Sequence, residues 1–300
     1  MILCVGEILA DMIGEKKRNG YFYERKAGGA PFNVACAVKK LGGSVAFAGA
    51  VGNDPVGDFL KNYAENKKFD ELLIPVRKNK NTTLAFVEIS DDGERTFGFY
   101  RKNTADSDLP QITDELLRKA NIVHFGSLML SEKAGFDYAL KLANRAKEAG
   151  KLVSFDVNYR GDVFGDEKNA TKAYLSFLPL CDIIKFSEDE TELFGEDYIE
   201  SKLKNSLVLI TRGAKGCEWR RNGRTESVGT IQIKPVDTTG AGDAFLGGAL
   251  FGFDKEKTVD IPAEKLEKIL LFANVCGSLN TLGRCATDLL PTKRKVAKYL

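Results

Sequence analysis

Short apolar runs alternate with amphipathic helical patterns along almost the whole chain, and this alternation constrains the fold more than any other feature. The run ILCVGEIL at residues 2–9 is typical of a strand, and residues 31–41 place apolar side chains at helical spacing. The same succession returns at residues 44–52 and 56–66. Strands separated by helices are joined as βαβ units, which build a mostly parallel sheet with helices on both faces. The sequence therefore predicts an α/β fold.

The rest of the chain repeats this alternation. Further strands are predicted at residues 72–76, 121–128, 151–160, 181–187 and 207–213, and further helices at residues 136–148, 173–178, 239–251 and 263–279. A chain of 300 residues can bury most of its surface around one hydrophobic core. We therefore predict a single domain over residues 1–300.

Two stretches break the alternation and are predicted to form a lid. Residues 82–102 alternate in the manner of a β-hairpin around the turn signal Asp91-Asp92-Gly93, with no helix between the two strands. Residues from about 12 to 26 are polar and strand-like, with a turn signal at Asn19-Gly20. Antiparallel pieces inserted into a parallel domain predict a small second sheet; two separate surface hairpins remain the alternative.

Net charge and hydropathy exclude several classes of partner. The 44 basic and 42 acidic residues leave a net charge of +2, which supplies no overall field for nucleic acid. No apolar run approaches the roughly 18 residues that a membrane-spanning helix needs. The N-terminus carries Glu7 and Asp11 and has no basic segment, so it does not resemble a signal peptide. We expect a cytoplasmic protein that binds neither nucleic acid nor membranes.

The cysteines and the single histidine restrict the chemistry further. None of the six cysteines stands in a C-x-x-C pair, and His124 is the only histidine. This excludes zinc-finger spacing and the H-E-x-x-H zinc motif, and it favours reduced thiols. His124 lies in an apolar run that is predicted to be a buried strand, and the chain has no G-x-S-x-G motif. A structural histidine is therefore expected.

The segment DTTGAGDAF at residues 237–245 carries the clearest chemical signal. Gly240 and Gly242 allow backbone N–H groups to approach a ligand, and the helix that follows adds its unpaired N–H groups and its positive end. This is a hole for a phosphate or for developing negative charge. The helix end should stabilise the Asp243 carboxylate in its charged form. Asp243 can serve as a general base in phosphoryl transfer or can merely cap the helix. Neither a P-loop nor a G-x-G-x-x-G turn is present.

These residues resemble the C-terminal signature of the PfkB, or ribokinase-like, carbohydrate kinases. Four further motifs resemble elements of that family in the same order: AGGAPFNVACAVKKLGG at 27–43, GAVGNDPVGDFL at 49–60, DVNYR at 156–160 and TRGAKG at 211–216. The resemblance implies a ribokinase-like three-layer α/β/α sandwich with a β-sheet lid that often forms a homodimer interface. It also implies transfer of the γ-phosphoryl group of ATP to a sugar hydroxyl, with Mg²⁺ and, in many members, K⁺.

The resemblance assigns roles residue by residue. The anion hole and base would be Gly240, Ala241, Gly242 and Asp243. The sugar would contact Asp11, Gly28, Gly29, Asn33, Phe99, Arg101 and Arg160. The nucleotide would lie beside Asn158, Lys185, Thr211, Gly213, Gly216, Gly240, Gly242, Ala273, Asn274 and Gly277. Glu190 would organise Mg²⁺ through water, and Asp237 and Thr239 would bind the monovalent cation.

Two departures from the family pattern affect these assignments. Ser187 stands where the N-x-x-E motif of the family has Asn, which puts the magnesium contacts in doubt. Cys285 replaces the glycine of a usual R-G-A element near the cation loop. A small buried thiol is the expected role for Cys285.

The motifs are most similar to the bacterial fructokinase branch of the family. Fructose phosphorylated to fructose 6-phosphate is the predicted reaction, and 2-keto-3-deoxygluconate is the main alternative because Arg101 and Arg160 offer a grip for its carboxylate. Asp11 would repel that carboxylate but can accept hydrogen bonds from two hydroxyls of a neutral sugar. Ribose, nucleosides and a non-catalytic sugar sensor on the same fold stay open.

Overall fold

A computed structural model describes residues 1–89 and 95–300. The strands are β1 Ile2–Val5, β2 Leu9–Lys17, β3 Gly20–Gly28, β4 Val45–Ala48, β5 Val51–Gly52, β6 Glu71–Leu73, β7 Val76–Arg77, β8 Leu84–Ile89, β9 Arg95–Tyr100, β10 Ile122–Phe125, β11 Leu152–Asp156, β12 Ile183–Ser187, β13 Leu207–Thr211, β14 Cys217–Arg221 and β15 Arg224–Val228. The helices are α1 Ala30–Lys40, α2 Pro55–Glu65, α3 Asp114–Lys119, α4 Lys133–Glu148, α5 Gly161–Phe164, α6 Glu167–Phe177, α7 Glu188–Phe194, α8 Glu196–Lys202, α9 Ala241–Glu256, α10 Ala263–Asn280 and α11 Lys293–Val296.

The central sheet has the order β15-β14-β13-β12-β11-β10-β1-β4-β6. All neighbours from β6 to β13 pair in parallel, and only β14 and β15 run antiparallel at one edge. The prediction of a mostly parallel sheet is confirmed. The β14–β15 hairpin was not predicted, because four of the five residues of β15 are exposed and carry no apolar alternation.

The two faces of this sheet support separate hydrophobic layers. Along β1, Ile2 and Cys4 point into one layer, and Leu3 and Val5 point into the other, as the period of a strand requires. The first layer is completed by α1, α2, α9 and α10, and the second by α3, α4, α6, α7 and α8. The result is the three-layer α/β/α sandwich that the sequence predicts.

A second sheet of order β3-β2-β8-β9 lies beside this sandwich. Each hairpin pairs antiparallel, and β2 pairs with β8 in parallel, so the hairpins form one sheet and are not separate. Lys17 pairs with Gly20, which moves the first turn to Arg18 and Asn19, one residue earlier than predicted. The second predicted turn, at residues 91–93, lies outside the described residues. β5 and β7 form a short additional pair.

The seven parallel strands of the central sheet all end at one edge of it. The last residues of β1, β10, β11, β12 and β13 there are Val5, Phe125, Asp156, Ser187 and Thr211. In open α/β sheets, ligands bind outside this edge. Several strand predictions ran past it: the run at 2–9 includes the turn between β1 and β2, and the run at 151–160 ends as a strand at Asp156. Among the described helices, none combines the length and apolarity needed to cross a bilayer.

His124 and the cysteines lie inside this scaffold. His124 on β10 is fully buried, its Nδ1 lies 3.2 Å from Ser154 Oγ on β11, and burial lowers the pKa of its ring to about 3. It is a neutral core residue, as predicted. All six cysteines are buried and free.

Candidate active site

The glycine-rich segment before α9 forms the predicted anion hole. Gly240 has a φ of +73° and precedes the first helical residue, Ala241. Two features exclude a side chain at position 240. Its Cβ would lie 2.5 Å from Ala286 Cβ, and L residues rarely adopt this φ. The N–H of Ala241 donates to the carbonyl of Thr238 at 3.1 Å, whereas the N–H groups of Gly242 and Asp243 have no intrahelical acceptor and lie at the positive end of this 16-residue helix.

Asp243 lies in the first turn of α9 and is held from α1. Asn33 Nδ2 donates a hydrogen bond of 2.8 Å to Asp243 Oδ2. The pKa of Asp243 is raised to about 6, mainly by burial and then by the charge of Asp156, although the Asn33 hydrogen bond and the cations Lys185 and Arg160 lower it. The expected stabilisation of the anion by the helix end is therefore outweighed by burial. At neutral pH the carboxylate is still mostly ionised and can accept a proton.

Lys185 brings a buried positive charge to the same hole. Its Nζ donates to Asp156 Oδ1 at 2.8 Å, and both side chains are at most 8% exposed. A Cβ at position 242 would lie 3.2 Å from Lys185 Nζ, so Gly242 lets the ammonium group approach the helix end. Asp156 Oδ2 is buried and has no hydrogen-bond partner within the described residues. Asp156 was not assigned a role from the sequence, although it opens the DVNYR motif.

Asp11 forms the opposite side of the site. It lies on β2 next to Gly28 at the end of β3, and any side chain at position 28 would overlap its carboxylate. The pKa of Asp11 is raised to about 7, mainly by burial and also by the Asp243 charge, although the charge of Arg160 lowers it. The structure therefore brings Asp11, Asp243, Asn33 and Arg160 close together, around the region that we call the polar space.

Phe99 and Arg101 differ in how they reach this space. Phe99 on β9 packs with Leu9 under the second sheet. Arg101 is instead committed to protein partners: its Nε donates to Asp106 at 2.7 Å and its Nη1 to Ser131 at 2.7 Å, with 8% of the side chain exposed. The Nη2 atom of Arg101 is buried and has no hydrogen-bond partner within residues 1–89 and 95–300. The guanidinium group is therefore only partly used by protein partners.

A cleft of about 220 Å³ opens on the other side of the anion hole. Its lining includes the predicted nucleotide residues Thr211, Gly213, Gly216, Gly242, Asn274 and Gly277. Asn274 also fastens the wall, because its Nδ2 donates to the carbonyl oxygens of Val228 and Gly229 at 2.8 and 2.9 Å. Ala273, which the resemblance also places beside the nucleotide, does not line the cleft. It lies on a different face of α10 and is fully buried against Gly248 of α9.

Ser187 and Glu190 form a capping box at the start of α7. Ser187 Oγ accepts from the N–H of Glu190 at 3.3 Å, and Glu190 Oε2 accepts from the N–H of Ser187 at 2.7 Å. Glu190 Oε1 accepts from the N–H of Tyr159 at 2.7 Å, which ties α7 to the segment after β11. In that segment Asn158 has a φ of +35° and its carbonyl accepts from Ser127 Oγ. Ser187 thus supplies the helix cap.

The loop from Asp237 to Thr239 is bound to the segment around Cys285. Asp237 accepts from the N–H of Thr239 at 2.7 Å and from the N–H of Cys285 at 3.1 Å. Asn280 Nδ2 donates to the carbonyl oxygens of Thr239 and Ala286, and its Oδ1 is a buried acceptor with no hydrogen-bond partner in the part of the chain described. Cys285 has a φ of +69°, so it keeps the left-handed backbone for which the family has glycine. Sequence reasoning missed Asn280 because a lone Asn carries no pattern.

Comparison with known proteins decides the family. Residues 1–293 match the family described as pfkB family carbohydrate kinase. The chain belongs to this family. The pfkB chain is 35% identical over 316 residues to Probable fructokinase-7 of Arabidopsis thaliana, covering 100% of this chain and 92% of that protein.

Solved structures agree with the pfkB assignment. Fructokinase with bound ATP from Xylella fastidiosa superposes with a TM-score of 0.89 and 30% identity over 99% of this chain and 97% of that one. Fructokinase from Vibrio cholerae O395, in a form with fructose, ADP and calcium ion bound, superposes with a TM-score of 0.88 and 30% identity. The match covers 100% of this chain and 98% of that one. The ribokinase-like fold is therefore confirmed, and the chain is a sugar kinase, a phosphotransferase with an alcohol group as acceptor.

Proposed function

We propose that this kinase transfers the γ-phosphoryl group of ATP to the 6-hydroxyl of fructose and releases fructose 6-phosphate and ADP. The observation that carries the proposal is the placement of Asp243 at the N-terminus of α9, between the polar space around Asp11 and the cleft beside Thr211. The similarity of the whole chain to fructokinases supports the choice of fructose as the sugar.

The proposed reaction is a direct displacement. The sugar hydroxyl oxygen attacks the γ-phosphorus, its proton passes to the Asp243 carboxylate, and ADP leaves. The N–H groups of Gly240 and Gly242 and the ammonium group of Lys185 stabilise the negative charge that is spread over the transferred group, while the N–H of Ala241 is held by the carbonyl of Thr238. Asn33 keeps the carboxylate of Asp243 aligned through the 2.8 Å hydrogen bond. The second sheet, with Phe99 beneath it, covers the sugar and excludes water that would otherwise hydrolyse ATP.

The sugar pocket favours a neutral sugar over a sugar acid. Asp11 and Asp243 are two carboxyl groups close enough to raise the pKa of Asp11, so a third negative group would be repelled. Arg101 pairs with Asp106 at 2.7 Å, and this carboxylate offsets the positive charge that would attract the carboxylate of 2-keto-3-deoxygluconate. We assign Asp11, Gly28, Gly29, Asn33, Phe99 and Arg160 to the fructose pocket, with Arg101 behind it.

ATP would occupy the cleft, with Mg²⁺ at its phosphates. We assign the nucleotide to Asn158, Lys185, Thr211, Gly213, Gly216, Gly240, Gly242, Asn274 and Gly277. Mg²⁺ needs only one or two carboxylates when substrate phosphates and water complete its shell. The unpartnered Asp156 Oδ2 and the remaining lone pairs of Glu190 fit a hydrated Mg²⁺, which would neutralise charge on the phosphates.

A monovalent cation such as K⁺ would bind beside the anion hole. The Asp237 carboxylate, the Thr239 and Ala286 carbonyls and the buried Asn280 Oδ1 form a set of oxygen donors. K⁺ there would add positive charge behind the N–H groups of residues 240–242. One relative's structure has potassium ion bound with fructose and ADP.

We further propose a homodimer through the second sheets and a cytoplasmic location. Tyr21, Phe22, Tyr23 and Tyr100 on this sheet are between 39% and 64% exposed, which is an unusual cluster of aromatic side chains for a free surface. Sedimentation velocity should give the mass of two chains, and a monomer at micromolar concentration would contradict this.

The six free thiols support the proposed cytoplasmic location, because the cytoplasm keeps thiols reduced. Localisation of the tagged protein checks this proposal.

An ADP-release assay tests the proposed function. ATP is presented with fructose, 2-keto-3-deoxygluconate, ribose or adenosine, with and without Mg²⁺ and K⁺. We expect fructose to give the highest kcat/KM, no turnover without Mg²⁺, and slower turnover without K⁺. Good turnover of another acceptor without turnover of fructose would refute the sugar assignment. Calorimetric fructose binding without any turnover would support a sugar sensor.

A further inference from the structure

Glu7 is a buried carboxyl group that the transfer reaction does not use. It lies just after the carboxyl end of β1 and is 1% exposed. Its Oε1 accepts a 3.1 Å hydrogen bond from the N–H of Ala30. Its Oε2 has no hydrogen-bond partner in residues 1–89 and 95–300 and lies against Gly126, where a Cβ would be 2.6 Å away. The fold therefore leaves room for the Glu7 carboxyl group at the edge of the central sheet where the proposed substrates would bind.

The hydrogen bond from Ala30 caps helix α1 from a different part of the chain. α1 follows Gly29, which has no side chain to act as a cap, and its second residue, Pro31, has no N–H group. The N–H of Ala30 therefore depends on Glu7. A backbone N–H left buried without an acceptor is costly, so the two elements are held together at this point.

The capped turn of α1 leads directly to the catalytic base. The N–H of Asn33 donates to the carbonyl of Gly29 at 2.8 Å, and Asn33 Nδ2 donates to Asp243 Oδ2 at 2.8 Å. We propose that Glu7 is a positioning residue for phosphoryl transfer, which fixes the first turn of α1 and thereby the contact of Asn33 with Asp243. The proposal rests on the proposed function of the site.

The charged groups that face Glu7 leave it neutral. Arg101 and Asp106 are close to it but pair with each other at 2.7 Å. The pKa of Glu7 is raised to about 8, mainly by burial and also by the Asp106 charge, although the N–H groups of Glu7 and Ala30 and the charge of Arg101 lower it. At pH 7 the group is therefore mostly a carboxylic acid whose carbonyl oxygen can accept from Ala30. Glutamine presents the same acceptor without any charge.

Two substitutions and a matched control test this role. Glu7→Ala should lower kcat about 10- to 100-fold, because a small displacement of a reacting group has an effect of this size. The KM for ATP should stay unchanged, and Glu7→Gln should keep kcat within about threefold of the wild type because it retains the acceptor. Thr113→Ala is the control: Thr113 Oγ1 caps α3 by accepting from Leu116 at 3.2 Å, and α3 carries no site residue. All rates are measured below the melting transition of each variant.

The outcomes separate positioning from stability. Wild-type kcat in Glu7→Ala, an equal loss in Thr113→Ala, or an equal loss in Glu7→Gln would each overturn the proposal. Should Glu7→Ala not fold, Glu7→Asp decides, because its shorter side chain withdraws the acceptor from the N–H of Ala30. Its kcat should fall while Glu7→Gln stays near the wild type, and wild-type kcat in Glu7→Asp would overturn the proposal.

A further readout does not depend on turnover. The Asn33 hydrogen bond lowers the pKa of Asp243, so a loosened Asn33 should raise that pKa. Carbon-13 NMR of the Asp243 carboxyl should show this rise in Glu7→Ala and not in Thr113→Ala. An unchanged pKa in Glu7→Ala would overturn the positioning role, even if the wild type turned over no sugar and the proposed function had failed.

Discussion

Asp243→Asn should lower kcat by about 10²- to 10⁴-fold, the range over which a positioned general base contributes to proton transfer. Asparagine has nearly the same shape and can still contact Asn33, but it cannot take the proton from the sugar hydroxyl. The N–H groups of residues 240–242 and Lys185 remain in place, so the dissociation constant of an ATP analogue should stay within about twofold. Stopped assays of ADP release and fluorescence titration measure the two quantities.

The pH dependence gives a second signature of the same residue. The wild-type kcat/KM should fall as pH is lowered through about 6, because protonation of Asp243 removes the base. The residual activity of Asp243→Asn should lack this acid limb. Asp197→Asn makes the same chemical change at an exposed position on α8 and should behave as the wild type. Near-normal kcat in Asp243→Asn would remove Asp243 from the role of base.

Asp11→Ala should reduce kcat/KM for fructose by about 100-fold or more, because hydrogen bonds to a charged group contribute roughly 1.5–3 kcal/mol each. Asp11 shares the polar space with Asp243 and Arg160 and lies away from the nucleotide cleft. The affinity for an ATP analogue should therefore not change. Isothermal calorimetry with each ligand separates the two effects.

A specific loss at Asp11 also distinguishes sugar recognition from general damage. Asp197→Ala removes an exposed carboxylate and should leave both affinities unchanged. Equal weakening of fructose and nucleotide binding in Asp11→Ala would indicate a disturbed fold. Unchanged fructose affinity would contradict the place of Asp11 in the pocket.

The sequence predicted the elements that depend on local pattern. The parallel strands are buried apolar runs, and the start of α9 follows from Gly240, whose positive φ allows the turn. Polar strands escaped prediction: β15 is mostly exposed and has no apolar alternation to reveal it. The strand predicted at residues 2–9 extends past the true end of β1 at Val5, because the residues on both sides of Gly6 are apolar and the pattern does not show the turn between them.

Side-chain partners across the fold could not be predicted from motifs. The resemblance places Arg101 beside the sugar, but it does not show that Arg101 also binds Asp106, five residues along the chain, and Ser131, which only the tertiary structure brings near. Neighbours on a helix point to different sides, which is why Asn274 lines the cleft while Ala273 is buried. The raised pKa values of Asp243 and Asp11 depend on burial and on a neighbouring carboxylate, which is Asp156 for Asp243 and Asp243 for Asp11. No spacing in the sequence shows either effect.

The most direct test of the central claim is the identity of the product. The protein is incubated with ATP, Mg²⁺ and fructose, and the phosphorylated sugar is examined by proton–phosphorus correlation NMR, which identifies the carbon whose protons couple to the phosphorus. The account predicts one new sugar phosphate per ADP, with its phosphorus coupled to the two protons on carbon 6. Phosphate on another carbon, or ADP released without any sugar phosphate, would contradict it.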